Sequence, residues 1–175
     1  MDSKGQAYSV FKLLIAAVVA GAILLILLQT LQVLPSIGSQ NPNSSAANSV
    51  KSKINEPGLP QTLENISFNN NDSLNAKTIA SQSKALSQEQ ICVKVSDEVP
   101  NAENFEELGE DQVINYKGSF AQNVRLIVMC DRQDELSDSW DSYEYSDTYG
   151  IGPDDCGYDG VNGSSKACFV AIIPD

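Results

Sequence analysis

Four cysteines, a dense run of carboxylates and four Asn-x-Ser sequons carry most of the chemistry available to this 175-residue chain. The cysteines are Cys92, Cys130, Cys156 and Cys168. Their even number and the lack of any Cys-x-x-Cys spacing point to two disulfides rather than a zinc site or a dithiol redox motif. Three pairings are open. Cys92 and Cys130 each sit at the end of a strand that could pair antiparallel with the other, which favours Cys92–Cys130. Cys156–Cys168 would then close a C-terminal loop, a closure of roughly 3 kcal/mol on the chain-entropy treatment.

Residues 131–159 hold ten carboxylates against one cation, Arg132. Oxygen-rich loops suit hard cations, so Asp154, Asp155 and Asp159 form a candidate calcium set. The spacing is not that of an EF-hand, because the twelfth position from Asp155 is Lys166 rather than Glu. The favoured reading of the region is an acidic amphipathic helix. Leu136, Trp140 and Tyr143 fall at i, i+4 and i+7, Asp131 stands where a cap is needed, and Gly150 ends the region. Trp140 and Tyr143 then pack on a sheet, while Tyr145 and Tyr149 lack a core role and suit a contact surface.

Histidine is absent, which removes the commonest metal ligand and general base. Neither a Gly-x-Ser-x-Gly elbow nor a phosphate-binding glycine loop occurs. Carboxylates are too abundant for any one pair to mark a glycosidase. No catalytic residue is assigned, no enzyme activity is expected, and calcium is the one cofactor under consideration. Sequons at Asn43, Asn65, Asn71 and Asn162 are candidate glycosylation sites.

The elements that must position these groups are readable in part. Residues 36–49 are small and polar and read as a flexible stalk, followed by a short helix over 49–56 that Pro57-Gly58 stops. Residues 62–68 form a weak strand, 69–72 a loop, and 73–85 a helix capped by Ser73. Alternation places a strand over 91–96, with Ile91, Val93 and Val95 on one face. An acidic excursion spans 97–110. Short strand 113–116 and turn 117–119 precede the best strand, 123–129. The nearly all-apolar run 167–173 belongs at the centre of the sheet. The expected fold class is α+β: a small, mainly antiparallel sheet with flanking helices and disulfides.

The formal charge of −12 leaves no basic patch, so nucleic acid is excluded as a partner. The apolar run Leu13–Leu34, 22 residues, would span roughly 33 Å as a helix, enough to cross a bilayer core of about 30 Å. It is too long for a cleaved secretory signal and lacks an Ala-x-Ala site before Pro35. Lys4 and Lys12 precede it, and the next cation is Lys51. This bias places the N-terminus in the cytoplasm and the remainder outside, as a single-pass protein in contact with membrane lipid. Ala17 and Gly21 form a small-xxx-small pair suited to self-packing.

Lys4-Gly5-Gln6 stands shortly before this run. The combination resembles the class III signal of archaeal type IV pilins and archaellins. The resemblance covers residues 3–34. It implies cleavage between Gly5 and Gln6 by a prepilin-type peptidase, retention of the apolar helix, and its packing in the core of a surface filament. Val10 stands at the fifth mature position, where many members carry Glu, and Lys12 stands at the seventh. The organisation expected is a leader over 1–5, a membrane or filament-core helix over 6–34, a stalk and short helix over 35–60, and an extracytoplasmic head over 61–175.

Overall fold

The chain is described by a computed structural model that covers residues 41–109, 112–158 and 160–175, together with Leu14, Ile15 and residues 18–20. It divides into two compact units, 1–38 and 39–175. In the first, Leu14, Ile15, Val18, Val19 and Ala20 are helical and exposed. The rest of the expected 6–34 helix lies outside the described residues, as do Lys4, Gly5, Gln6, Ala17 and Gly21. Among the described residues, no helix is long and apolar enough to cross a membrane.

The second unit is α+β with two disulfides. It opens with helix α1, Pro42–Lys53. Asn41 caps it, its Oδ1 accepting from the N–H groups of Asn43 at 3.0 Å and Ser44 at 3.4 Å. Pro42 occupies the first turn, where its missing N–H does no harm. Lys51 and Lys53 complement the dipole of the last turn. This helix replaces the stalk expected over 36–49, as far as those residues are described, and the short helix over 49–56. Its composition conceals it. The contact face is Ala46, Ala47 and Val50, all buried, and small residues let a helix lie close without an obvious apolar stripe.

Seven strands follow: β1 Gln61–Phe68, β2 Ser73–Asn75, β3 Ile91–Val95, β4 Phe105–Leu108, β5 Val113–Tyr116, β6 Gln122–Arg132 and β7 Lys166–Ile173. The main sheet has the order β1-β6-β7-β3, and a smaller antiparallel sheet the order β2-β5-β4. β1–β6 and β6–β7 are antiparallel, whereas β3–β7 is parallel. β7 is therefore central, as its apolar sequence requires. The expected helix over 73–85 divides instead into β2 and helix α2, Ala76–Ser83, whose cap is Asn75 rather than Ser73. The Asn75 side chain accepts from the Thr78 N–H at 3.2 Å. The acidic excursion 97–110 contributes β4.

The main sheet is buried on both faces. On one face, Ile66, Phe68, Val93, Leu126, Val128 and Val170 meet α1, α2 and the small sheet, which adds Leu74, Phe105, Ile114 and Tyr116. On the other, Ile127, Met129, Phe169, Ala171 and Ile173 meet Leu136 and Trp140, with Tyr145, Tyr149 and Ile151 packed around them. Alternation along each strand sorts these two sets. The acidic segment thus forms a cover. It is not one helix: α3 spans Leu136–Asp141 and α4 Tyr145–Tyr149, and Glu144 between them adopts a φ of 58°. Residues 142–144 separate the two helices, and Tyr145 meets the Trp140 ring with centroids 4.8 Å apart.

Asn43 fixes α1 to the small sheet. Its Nδ2 donates to the Ser73 carbonyl at 2.6 Å and its Oδ1 accepts from the Asn75 N–H at 2.8 Å. Asn43→Ala leaves two backbone groups of β2 without partners, so it is expected to lower stability by about 2 kcal/mol. Urea unfolding of the variant beside the parent protein checks this.

Candidate functional site

The two disulfides lie on opposite faces of the main sheet. Cys130 and Cys168 face α1 and α2, while Cys92 and Cys156 belong to the cluster beneath the acidic cover. The bonds are Cys92–Cys156 and Cys130–Cys168, with Cα separations of 6.1 and 4.1 Å. This corrects the expected pairing of Cys92 with Cys130 and of Cys156 with Cys168. β7 lies between β3 and β6, so Cys92 and Cys130 are two strand spacings apart, roughly 9–10 Å, beyond the reach of a disulfide. Their side chains also point to opposite faces. Cys130 and Cys168 are instead direct partners in the β6–β7 register. Cys92–Cys156 ties the C-terminal loop to the edge strand β3.

The cover is held by polar contacts at its margins. The Trp140 indole N–H donates to the Ile151 carbonyl at 2.9 Å, and the ring meets Phe169 edge-on at 4.8 Å. Buried Ser96, just after β3, donates its hydroxyl to the Tyr149 carbonyl at 2.7 Å. Asp131 does not cap α3. It sits on β6, where its Oδ2 accepts from the Ser139 hydroxyl at 2.6 Å and its Oδ1 from the Arg132 N–H at 2.7 Å. Gly58 passes close by with a φ of 72°, and a Cβ there would lie 3.1 Å from the Asp131 carboxylate. Only glycine fits this crossing without strain.

Tyr143 stacks on Tyr145 with ring centroids 5.5 Å apart but remains 39% exposed. Tyr145 and Tyr149, which lacked a core role in the sequence, are partly buried against the cover's cluster. Burial pushes the Tyr145 phenol above its usual range, and Tyr149 and Tyr143 add to the shift. A folded-state value above the unfolded one leaves stability intact below about pH 10 and erodes it as pH rises through the folded value. Tyrosinate absorbance should therefore show a step above the ordinary tyrosine range that Tyr145→Phe removes. The same variant should flatten the alkaline decline in stability.

A cavity of about 700 Å³ opens between β3, β4 and residues 150–155. Lys94, Asp97, Glu103, Glu107 and Asp155 line it, with Val95, Phe105 and Ile151 on its apolar wall. Lys94 Nζ is 3.3 Å from Glu107 Oε2, and the other oxygen of Glu107 accepts from the Val95 N–H at 3.3 Å. Glu107 thereby occupies one backbone N–H on the edge of β3, where an unpaired strand would recruit other chains. The cavity suits a cationic group by charge alone and carries no paired nucleophile and base among the described residues.

Of the proposed calcium set, Asp154 and Asp155 are described, and each carboxylate accepts a hydrogen bond from within the chain. Asp154 Oδ1 accepts from the Ser137 hydroxyl at 2.5 Å, and Asp155 Oδ2 from the Gly152 N–H at 3.0 Å. Asp159 lies outside the described residues. Among the described residues, no group of three or more Cys, Asp or Glu side chains is placed to hold a metal ion.

The sequons separate by environment. Asn65 lies exposed at the irregularity in β1 with a φ of 56°, Asn71 lies exposed in a turn with a φ of 66°, and Asn162 is exposed. Asn43 is buried, and a glycan there would displace its amide from Ser73. Sequence reasoning missed the buried role of Asn43 because a sequon carries no burial signal.

No family model matches the chain, and no curated protein and no solved structure does.

Proposed function

We propose that this chain is a type IV pilin-like structural subunit of an archaeal-type surface filament, with its acidic α+β head exposed outside the cell. The observation that carries the reading is Lys4-Gly5-Gln6 standing just before an apolar run that reaches Leu34. Removal of residues 1–5 by a prepilin-type peptidase would free the helix to leave the membrane and pack against copies of itself, with Ala17 and Gly21 allowing close approach. Two disulfides in the head agree with an oxidising, extracytoplasmic location. The cover's carboxylates give the head a solvated, self-repelling surface, which keeps assembly to the helices.

Val10 and Lys12 favour a second reading. Without Glu at the fifth mature position, the helix lacks the acidic group that many pilins carry there. On this reading the chain remains a single-pass membrane protein of adhesion or ligand-binding type and does not polymerise. Replacing Gly5 with Phe separates the two. A filament subunit so altered is expected to keep its leader, stay with the membranes and disappear from material sheared off the cell surface. Unchanged distribution between membrane and sheared fractions would contradict the filament reading.

A further inference from the structure

A second cleft, of about 310 Å³, lies between residues 100–104 and the loop that follows β5. It is walled by Asn101, Asn104, Ser119, Phe120, Gln122 and Asn123. None of the residues lining it is charged, on a chain whose net charge is −12. Phe120 is 85% exposed, the most exposed large apolar side chain of the described residues. An aromatic ring in water is unfavourable by its apolar area unless something covers it.

The loop that presents this ring is anchored to the core. Tyr116 is buried among Phe68 and Phe105, and its hydroxyl donates to the Phe120 carbonyl at 2.7 Å. Asn70 Nδ2 donates to the Gly118 carbonyl at 3.1 Å. Gly118 lies against the phenol end of Tyr116, where a Cβ would come within 2.1 Å of the phenol oxygen. Gln122 Nε2 donates to the Pro100 carbonyl and joins the two rims of the cleft. The backbone beside the ring is therefore set before any ligand arrives, which lowers the ordering cost of binding.

We propose that this cleft binds a neutral saccharide. A pyranose offers one face of C–H groups, which can lie on the Phe120 ring, and a rim of hydroxyls that both donate and accept. Asn and Gln amides match that rim, because each carries two donors and a carbonyl acceptor. A charged ligand would find no counter-ion in the lining, and a purely apolar one would strip water from the amides without replacing their hydrogen bonds. The volume is at the small end of ligand sites, sized for a few sugar rings at most. Binding is weak, as a shallow and open cleft dictates. The site is independent of whether the chain forms filaments.

The test uses the full-length chain in detergent micelles and saturation-transfer NMR with maltotriose, chitotriose and mannotriose, and with trigalacturonate as the charged comparison. At least one neutral trisaccharide is expected to receive saturation and to bind at least about tenfold more weakly to Phe120→Ala. Trigalacturonate is expected to receive none. Phe120 is solvent-exposed, so its replacement leaves the fold intact. Phe120→Trp should retain binding and report it as a change in tryptophan emission. No transfer to any neutral trisaccharide at about 10 mM, equal binding by Phe120→Ala, or equal binding of trigalacturonate would each overturn the proposal. So would a loss of self-association in Phe120→Ala with no saccharide effect, which would make the ring a contact between copies.

Discussion

Trp140→Ala is expected to lower the stability of the head by about 3–5 kcal/mol, the largest effect of any single side chain here. The indole is completely buried and touches both layers it joins. It meets Phe169 of the central strand and Tyr145 of α4, each with centroids 4.8 Å apart, and donates to Ile151 beyond the cover. Alanine would leave a cavity in the cluster and a carbonyl without its donor. Since a domain of this size is stable by about 5–15 kcal/mol in total, such a loss is a large share. Trp140→Phe keeps most of the volume and loses the N–H, so it should fall by about 1–3 kcal/mol. Urea unfolding followed by circular dichroism reads both, because the parent's only tryptophan is the residue removed. If Trp140→Ala lost under 1 kcal/mol, the cover could not be packed as described.

The second large effect is expected from the disulfides. Cys92–Cys156 and Cys130–Cys168 span 64 and 38 residues of sequence. Loops of that length correspond to about 4 kcal/mol each on the chain-entropy treatment. Removing the two bonds should also have different local consequences. Cys130→Ala with Cys168→Ala weakens a pair of adjacent strands that remain hydrogen-bonded. Cys92→Ala with Cys156→Ala releases the covalent tie between the C-terminal loop and β3, so proteolysis within residues 150–165 should accelerate well before global unfolding. Connectivity itself is directly readable. Trypsin separates all four cysteines, and without reduction peptide 85–94 should remain joined to 133–166, and 126–132 to 167–175. Peptide 85–94 joined to 126–132 would contradict the fold.

Strands whose alternation or apolarity is strong were legible in the sequence: β3, β6 and β7, including the central place of β7. Their assembly was not. The parallel pairing of β3 with β7 depends on a connection of some 70 residues through β4, β5 and β6, and no local signal announces it. The wrong disulfide pairing follows from that one omission, since antiparallel neighbours were assumed where a strand intervenes. The first part of helix α1 was missed, while its end falls within the helix expected over 49–56, because Ser, Asn and Ala carry much of its buried face and the same composition reads as a linker. The amphipathic pattern of Leu136 and Trp140 was legible, and both are buried. The break at Glu144 was not, because a left-handed Glu is unfavourable locally and is imposed by the packing of Tyr145. The Phe120 cleft depends on bringing residues 100–104 against 119–123, a long-range contact that spacing alone does not reveal.

The proposal that residues 6–34 are released from a leader to build a filament is tested most directly by the mass of the native protein. Material sheared from the cell surface should contain this chain with Gln6 as its first residue and all four cysteines in disulfides. Recovery only in the membrane fraction, with Lys4-Gly5 still attached, would contradict the filament account.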